Sequence, residues 1–214
     1  MKKYKRYQLY FYDKNMEKIL EKIVDKKYKI DEEYKNDKRT YVAKIEIENK
    51  KYILKRTFQK NILKKLMSLF KISNSVETFK NINRAKESIE ELAEIYGAGV
   101  NKKLFIEDEF FLMEYIDGKI YIDDEHYLKI MEVLKKIHKE GYYHEDSNPY
   151  NFLFDNEKIY VIDTKMKKMR FGNYRAHYDM LTLYKYFKGI KPKYPYKKNI
   201  FYWLAFIKRK IRNI

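Results

Sequence analysis

The sequence contains no cysteine. Disulfide bonds, thiolate metal sites and thiol nucleophiles are therefore excluded. Its four histidines, His126, His138, His144 and His177, show no HExxH spacing, so no two imidazoles share a helical face in the way a zinc enzyme of that class needs. Proline and glycine are scarce, with three and six copies in 214 residues. Long apolar runs are missing too. The longest, "FYWLAFI" at residues 201–207, falls far short of the roughly 20 residues that cross a bilayer. The opening "MKKYKRYQLYFYDKN" offers only "LYFY" between its basic residues and Asp13, too little for the apolar core of an export signal. A cytoplasmic protein is the expectation, with peripheral contact at an anionic membrane face left open.

What the chain has in abundance is positive charge and aromatic rings. Lysine and arginine exceed aspartate and glutamate by 48 to 31, a formal net charge of +17. Such an excess draws a protein toward polyanions, whether nucleic acid, phosphorylated glycan or an anionic membrane face. Lys, Ile, Asn and Tyr are abundant together, as an AT-rich genome would produce, so part of the charge is compositional background. The 23 Tyr and 13 Phe supply ample core for a folded chain.

Between residues 28 and 56 three short runs, "YKIDEEY", "TYVAKIEIE" and "KYILKR", alternate apolar and polar positions. They predict an antiparallel meander with a turn at Asn49-Lys50. A helix is expected at about 60–70. A second is expected over 75–96, where Ile82, Ala85, Ile89, Leu92 and Tyr96 recur at helical spacing before "GAG" at 97–99. Strands are expected at 103–106 and 110–115, and a helix over 124–139 opened by an acidic cap and closed by Gly141. A small hairpin, "NFLF" then "IYVID", follows, and the final third reads as basic and largely helical around a proline-bearing break at 191–196. No internal repeat is present. The fold class implied is α+β, with a sheet-and-helix lobe at 1–114, a mainly helical lobe at 115–214, and a short link between them.

The stretch "HEDSNPYNF" carries the chemistry. Asp146 and Asn151 stand five apart before an apolar strand, and Asp163 follows twelve residues later after the return strand. Phosphoryl transfer needs a carboxylate to orient and deprotonate a hydroxyl, and an amide oxygen and second carboxylate to hold the metal that neutralises phosphates. The spacing matches the kinase catalytic pattern H-x-D-x-x-x-x-N. His-x-Asp alone is more often a polar turn; the conjunction with Pro149, Asn151, the hairpin and Asp163 favours the kinase-type site. On that reading Lys55, on the third strand of the meander, contacts nucleotide phosphates, although a single lysine among 48 basic residues is ordinarily surface. Its partner glutamate is drawn from Glu87, Glu90, Glu91 and Glu94, with Glu87 preferred.

Two familiar parts are missing. The segment "YKNDKRTY" between the first two runs has no glycine, leaving Lys38 or Arg39 to supply charge near phosphates, or a plain solvated hairpin tip. No Phe-Gly follows Asp163. In its place comes a basic run in which Lys165, Lys168, Arg170 and Arg175 are candidate contacts to an acidic or phosphorylated acceptor, or simply surface. Asp179, expected to open the helix "DMLTLYKYF", and His144 are assigned structural roles, Asp179 bracing the loop through backbone hydrogen bonds.

These motifs, "KYILK", "FFLMEYIDG", "HEDSNPYNF", "VID" and "YRAHYDMLTLYKY", resemble the lipopolysaccharide core heptose(II) kinases, bacterial sugar kinases of protein-kinase-like bilobal fold. The likeness runs from about residue 28 to the C-terminus, and that family similarly lacks the phosphate-loop glycines and the Phe-Gly. The resemblance implies ATP and Mg²⁺ as cofactors, Asp146 as catalytic base, Asn151 and Asp163 as metal ligands, Lys55 on the ATP phosphates, and backbone at Glu114, Tyr115 and Ile116 against adenine. It implies the lipopolysaccharide core oligosaccharide as substrate, with no nucleic acid expected. This chain has Glu145 where the family more often has glycine, and Asn148 where a basic residue or histidine is usual. Three other readings stand beside it: a kinase-like enzyme acting on another sugar or small molecule, a non-catalytic basic module binding nucleic acid, and a kinase-like scaffold without activity.

Overall fold

The computed structural model describes residues 1–59, 73–189 and 191–212. The helix expected at 60–70 lies outside them. The chain is of α+β class and divides into two compact units, Met1–Asn83 with Ala93–Tyr115, and Arg84–Leu92 with Ile116–Ile214.

The first unit is built on one antiparallel sheet. Its strands are β1 (Lys2–Tyr4), β2 (Tyr7–Phe11), β3 (Lys29–Asn36), β4 (Thr40–Ile47), β5 (Lys50–Phe58), β6 (Ile95–Lys102) and β7 (Ile106–Glu114). They lie in the order β1-β2-β6-β7-β5-β4-β3. The expected meander is β3 to β5. Its second turn falls one residue earlier than expected, on Glu48 and Asn49, because Ile47 pairs with Lys50. Both turn residues have positive φ, 53° and 60°, as a two-residue hairpin turn matching the strand twist requires.

Alternation puts Ala43, Ile45, Ile47, Tyr52, Leu54, Phe110 and Leu112 in one buried cluster with Tyr7 and Leu9 of β2. Helix α1 (Met16–Val24) contributes Met16, Ile19, Leu20 and Ile23 to the same cluster, the i, i+3, i+4, i+7 spacing of one helical face. By contrast β3, at the sheet edge, is exposed along its whole length.

Two expectations are corrected here. The helix expected over 75–96 is α2 (Asn74–Lys86) and ends ten residues early. Ile89 and Leu92 are fully buried, which explains their apolar character, but they sit in a turn and an isolated bridge, and Tyr96 belongs to β6. The "GAG" triplet is therefore inside a strand. A side chain at Gly99 would collide with the Phe110 ring, and one at Gly97 would lie 2.7 Å from Leu20 Cδ1, so both glycines serve close packing. Of the strand expected at 103–106, residues 103–105 are instead the turn joining β6 to β7 and Ile106 opens β7; the two strands pair from Lys102–Ile106 back to Ile95–Met113.

The start of α2 is held by a buried carboxylate. Glu109, 1% exposed, accepts a hydrogen bond from Ser73 Oγ and one from the Ser75 amide at 3.2 Å, while Ser73 Oγ accepts from the Val76 amide at 3.2 Å. The anion thus answers the orphan donors of a helix N-terminus.

In the second unit, α3 (Asp124–Lys139) begins where expected. Asp123 caps it by accepting from the His126 amide at 3.0 Å, and Gly141 follows its end with φ 77°. Then come β8 (Tyr142–Tyr143), a 3-10 turn (Pro149–Asn151), the hairpin β9 (Phe152–Asp155) and β10 (Lys158–Val161), and β11 (Lys167–Lys168), which pairs with β8. Helices α4 (Tyr174–Tyr184) and α5 (Ile200–Arg212) pack on each other. Asp179 lies in the middle of α4 rather than at its start, since Tyr174 to Tyr178 already turn helically before it. Among the described residues no helix is long and apolar enough to cross a membrane.

Candidate active site

The loop from His144 to Asn151 is shaped by one buried carboxylate. Asp179, 1% exposed, accepts the His144 amide through Oδ2 at 2.6 Å and the Glu145 amide through Oδ1 at 3.1 Å. Its own carbonyl accepts Ser147 Oγ at 2.6 Å. His138 Nε2 lies 3.2 Å from Oδ2, and because a carboxylate only accepts, the ring donates there; Nδ1 then accepts the Tyr196 hydroxyl at 2.7 Å. Asp179 thus braces the loop through backbone hydrogen bonds, the role expected for it.

His144 is structural as well. It is 1% exposed, packs on Phe152 and accepts the Asp146 amide through Nδ1 at 3.3 Å. Burial pushes its pKa down, against the pull of Asp179, Asp146 and Asp163, the three carboxylates that surround it. Glu145, between two braced residues, has φ 81°, a conformation that suits glycine.

The remaining polar residues are aligned by the hairpin. Phe152 pairs with Val161, and the Ile162 amide donates to Asn151 O at 2.9 Å, so the register carries the return strand to Asn151 just before Asp163. Asn151 Nδ2 donates to Asp146 O at 2.8 Å, which turns the amide oxygen to other partners. Asp163 is exposed, two residues past β10, with φ 49°. Thr164 Oγ1 donates to His144 O at 3.1 Å and fixes the following segment to the loop. Among the described residues no group of three or more His, Cys, Asp or Glu is placed to hold a metal. Asn151 and Asp163 offer hard oxygen donors of the kind Mg²⁺ takes, a set completed only by oxygens of a bound ligand and water.

Asp146 is exposed and opens onto a cavity of about 440 Å³ within this unit. Of the four basic residues proposed for the acceptor, Arg175 lines that cavity, its guanidinium 4.9 Å from the Tyr143 ring centre. Lys165 Nζ lies 3.8 Å from Glu145 Oε2 at the rim. Lys168 lies over Tyr142 on β11, and Arg170 is exposed; neither lines the cavity. Sequence reasoning missed Lys185, Lys208 and Arg209, which do. The signal was the stripe Arg175, Tyr178, Thr182, Lys185, Tyr186, spaced as one face of a helix and its continuation.

In the first unit, Lys55 sits on β5 on the face opposite Leu54, half-buried, with Nζ 6.0 Å from the Phe111 ring centre. Glu87, which belongs to the second unit, is exposed and is the first residue beyond α2, whose one acidic residue is Glu77. The Glu114 amide is committed to Glu94 O at 2.9 Å, and Tyr115 carries Lys44 over its ring at 4.8 Å; Ile116 begins the other unit. At the glycine-free hairpin tip, Asp37 Oδ1 accepts the amides of Arg39 and Thr40, both at 2.7 Å. Those backbone bonds hold its carboxyl below the usual range, and they occupy amides that a phosphate would otherwise use. The sequence matches no protein-family model and no curated protein.

Proposed function

We propose that the protein is an ATP- and Mg²⁺-dependent phosphotransferase of protein-kinase-like bilobal fold acting on an alcohol, with a heptose of the lipopolysaccharide inner core as acceptor. The observation that carries the reading is the loop from His144 to Asn151, braced by Asp179 and tied to Asp163 through the Asn151–Ile162 bond. The same loop and hairpin carry two exposed carboxylates, Asp146 and Asp163, and the Asn151 amide, whose Nδ2 donates to the Asp146 carbonyl.

Asn151 and Asp163 are the residues that would hold the Mg²⁺, which would neutralise phosphate charge when bound. Asp146 accepts the proton of the acceptor hydroxyl as that oxygen bonds the γ-phosphorus and the bond to the bridging oxygen of ADP breaks. Lys55 is assigned to the nucleotide phosphates and residues 114–116 to adenine. Asp146→Ala is expected to abolish ATP-dependent transfer to purified core oligosaccharide while Mg²⁺–ATP still raises the melting temperature. Transfer retained by that variant removes the base assignment, and mass spectrometry of lipopolysaccharide with and without the gene tests the heptose.

A further inference from the structure

The cavity at Asp146 is lined by four cations, Arg175, Lys185, Lys208 and Arg209, against two carboxylates, Glu145 and Asp146. Elsewhere in the same unit lysines find acids: Lys129 with Glu125, Lys135 with Glu132, Lys136 with Glu91, Lys165 with Glu145. Among the described residues none of the four cavity cations has such a partner. The most confined is Arg209, whose Nη1 is buried with no acceptor among the described residues. Burial lowers its pKa, opposed only by Tyr178 and Tyr186. A guanidinium held this way leaves donors unpaired unless a ligand brings oxygens. Arg175 is fixed by stacking over Tyr143 and Tyr174 rather than by an acid.

Charge counting selects the ligand. Glu145 is answered by Lys165, so the four lining cations face Asp146 alone and leave +3. A phosphomonoester carries about −1.5 to −2 at pH 7 and three acceptor oxygens, whereas a carboxylate would answer only about a third of the excess. We infer that this cavity is a phosphomonoester site, so that the alcohol offered to Asp146 belongs to a molecule already phosphorylated. Binding of the phosphate follows from the cavity alone; that its carrier is the acceptor rests on the kinase reading. The volume, about 440 Å³, is in the range of small-molecule sites and suits a sugar phosphate.

Calorimetric titration with inorganic phosphate tests this on the full chain, for the wild type and for Arg209→Gln, Lys208→Gln and the control Lys129→Gln. Saturable binding is expected in the wild type, weakened by about tenfold or more in R209Q and K208Q and unchanged in K129Q, whose lysine pairs with Glu125 away from the cavity. Lys208 is exposed, so K208Q keeps the test independent of folding defects at Arg209. No saturable binding, binding that both cavity variants leave intact, or binding weakened as much in K129Q as in the cavity variants would overturn the inference. Acetate binding as tightly as phosphate would overturn it in favour of a carboxylate. Titration of the same proteins with Mg²⁺–ATP separates the two readings: a wild type that binds phosphate at the cavity but never binds nucleotide refutes the kinase reading and leaves the phosphate site standing.

Discussion

Replacing Asp179 with alanine removes the acceptor of two backbone donors, the buried amide of His144 and the part-buried amide of Glu145, and of the His138 imidazole. Each stranded buried donor costs roughly 1–3 kcal/mol, and bonds to a charged acceptor lie toward the upper end. The two amides alone therefore predict a loss of about 4 kcal/mol, a large part of the 5–15 kcal/mol that holds a typical domain. Asparagine is no rescue. Its single carbonyl oxygen can serve one of the two amides, and its NH₂ would face the other, so about half the loss should remain. Urea unfolding measures the total. Amide hydrogen exchange localises it, because protection should fall at residues 144 and 145 while the Ser147 hydroxyl bond, which goes to the Asp179 carbonyl, is retained. A loss under about 1 kcal/mol in D179A, or exchange unchanged at both amides, would refute the claim that this carboxylate shapes the loop.

Glu145→Gly should stabilise the protein by about 0.5–1 kcal/mol in denaturant melts, since it relieves a left-handed backbone costing about 1–2 kcal/mol and loses part of that to glycine's unfolded-state entropy. Its 3.8 Å pairing with Lys165 is exposed and adds little. Gly99→Ala should cost about 1–3 kcal/mol by forcing a methyl into the fully buried Phe110 ring, whereas Gly141→Ala, with open space around it but φ 77°, should cost about 1 kcal/mol from backbone strain alone. Stability should also fall as pH drops. Burial holds the pKa of His144 and His177 below their unfolded value of about 6.5, so the unfolded chain takes up protons first. Urea melts at pH 7.5 and 5.5 should show the loss, and equal stability at both would contradict it.

The parts of the fold governed by local pattern were legible in the sequence. Alternation located β3 to β5, and the cap at Asp123 with Gly141 bounded α3, because both depend on residues within a few positions of one another. The strands β1 and β2 and helix α1 carry their own signals, since Tyr7 and Leu9 alternate and Met16 to Ile23 repeat at helical spacing, but these lie within a basic opening whose charge also resembles the start of a targeting segment. The run from Ile82 to Tyr96 misled because apolar residues buried in a turn and a strand happened to continue the helical period. At the site, Asp146, Asn151 and Asp163 were legible because a short loop and a four-residue hairpin fix their register. Lys208 and Arg209 were not, since their place at the cavity depends on how α5 packs against α4, and nothing within either helix encodes that.

The exposed edge strand β3 bears on how the molecule avoids its own kind. Its sequence, KIDEEYKN, presents Lys29, Asp31, Glu32, Glu33 and Lys35 along a row of backbone groups that another strand could otherwise join. An incoming β3 from a second copy would have to bring the same crowd of charges alongside, and its pairing with β4 is already broken by two register shifts that bend the edge away from flatness. A sheet rich in tyrosine and isoleucine thereby ends in a border that discourages edge-to-edge aggregation at this strand.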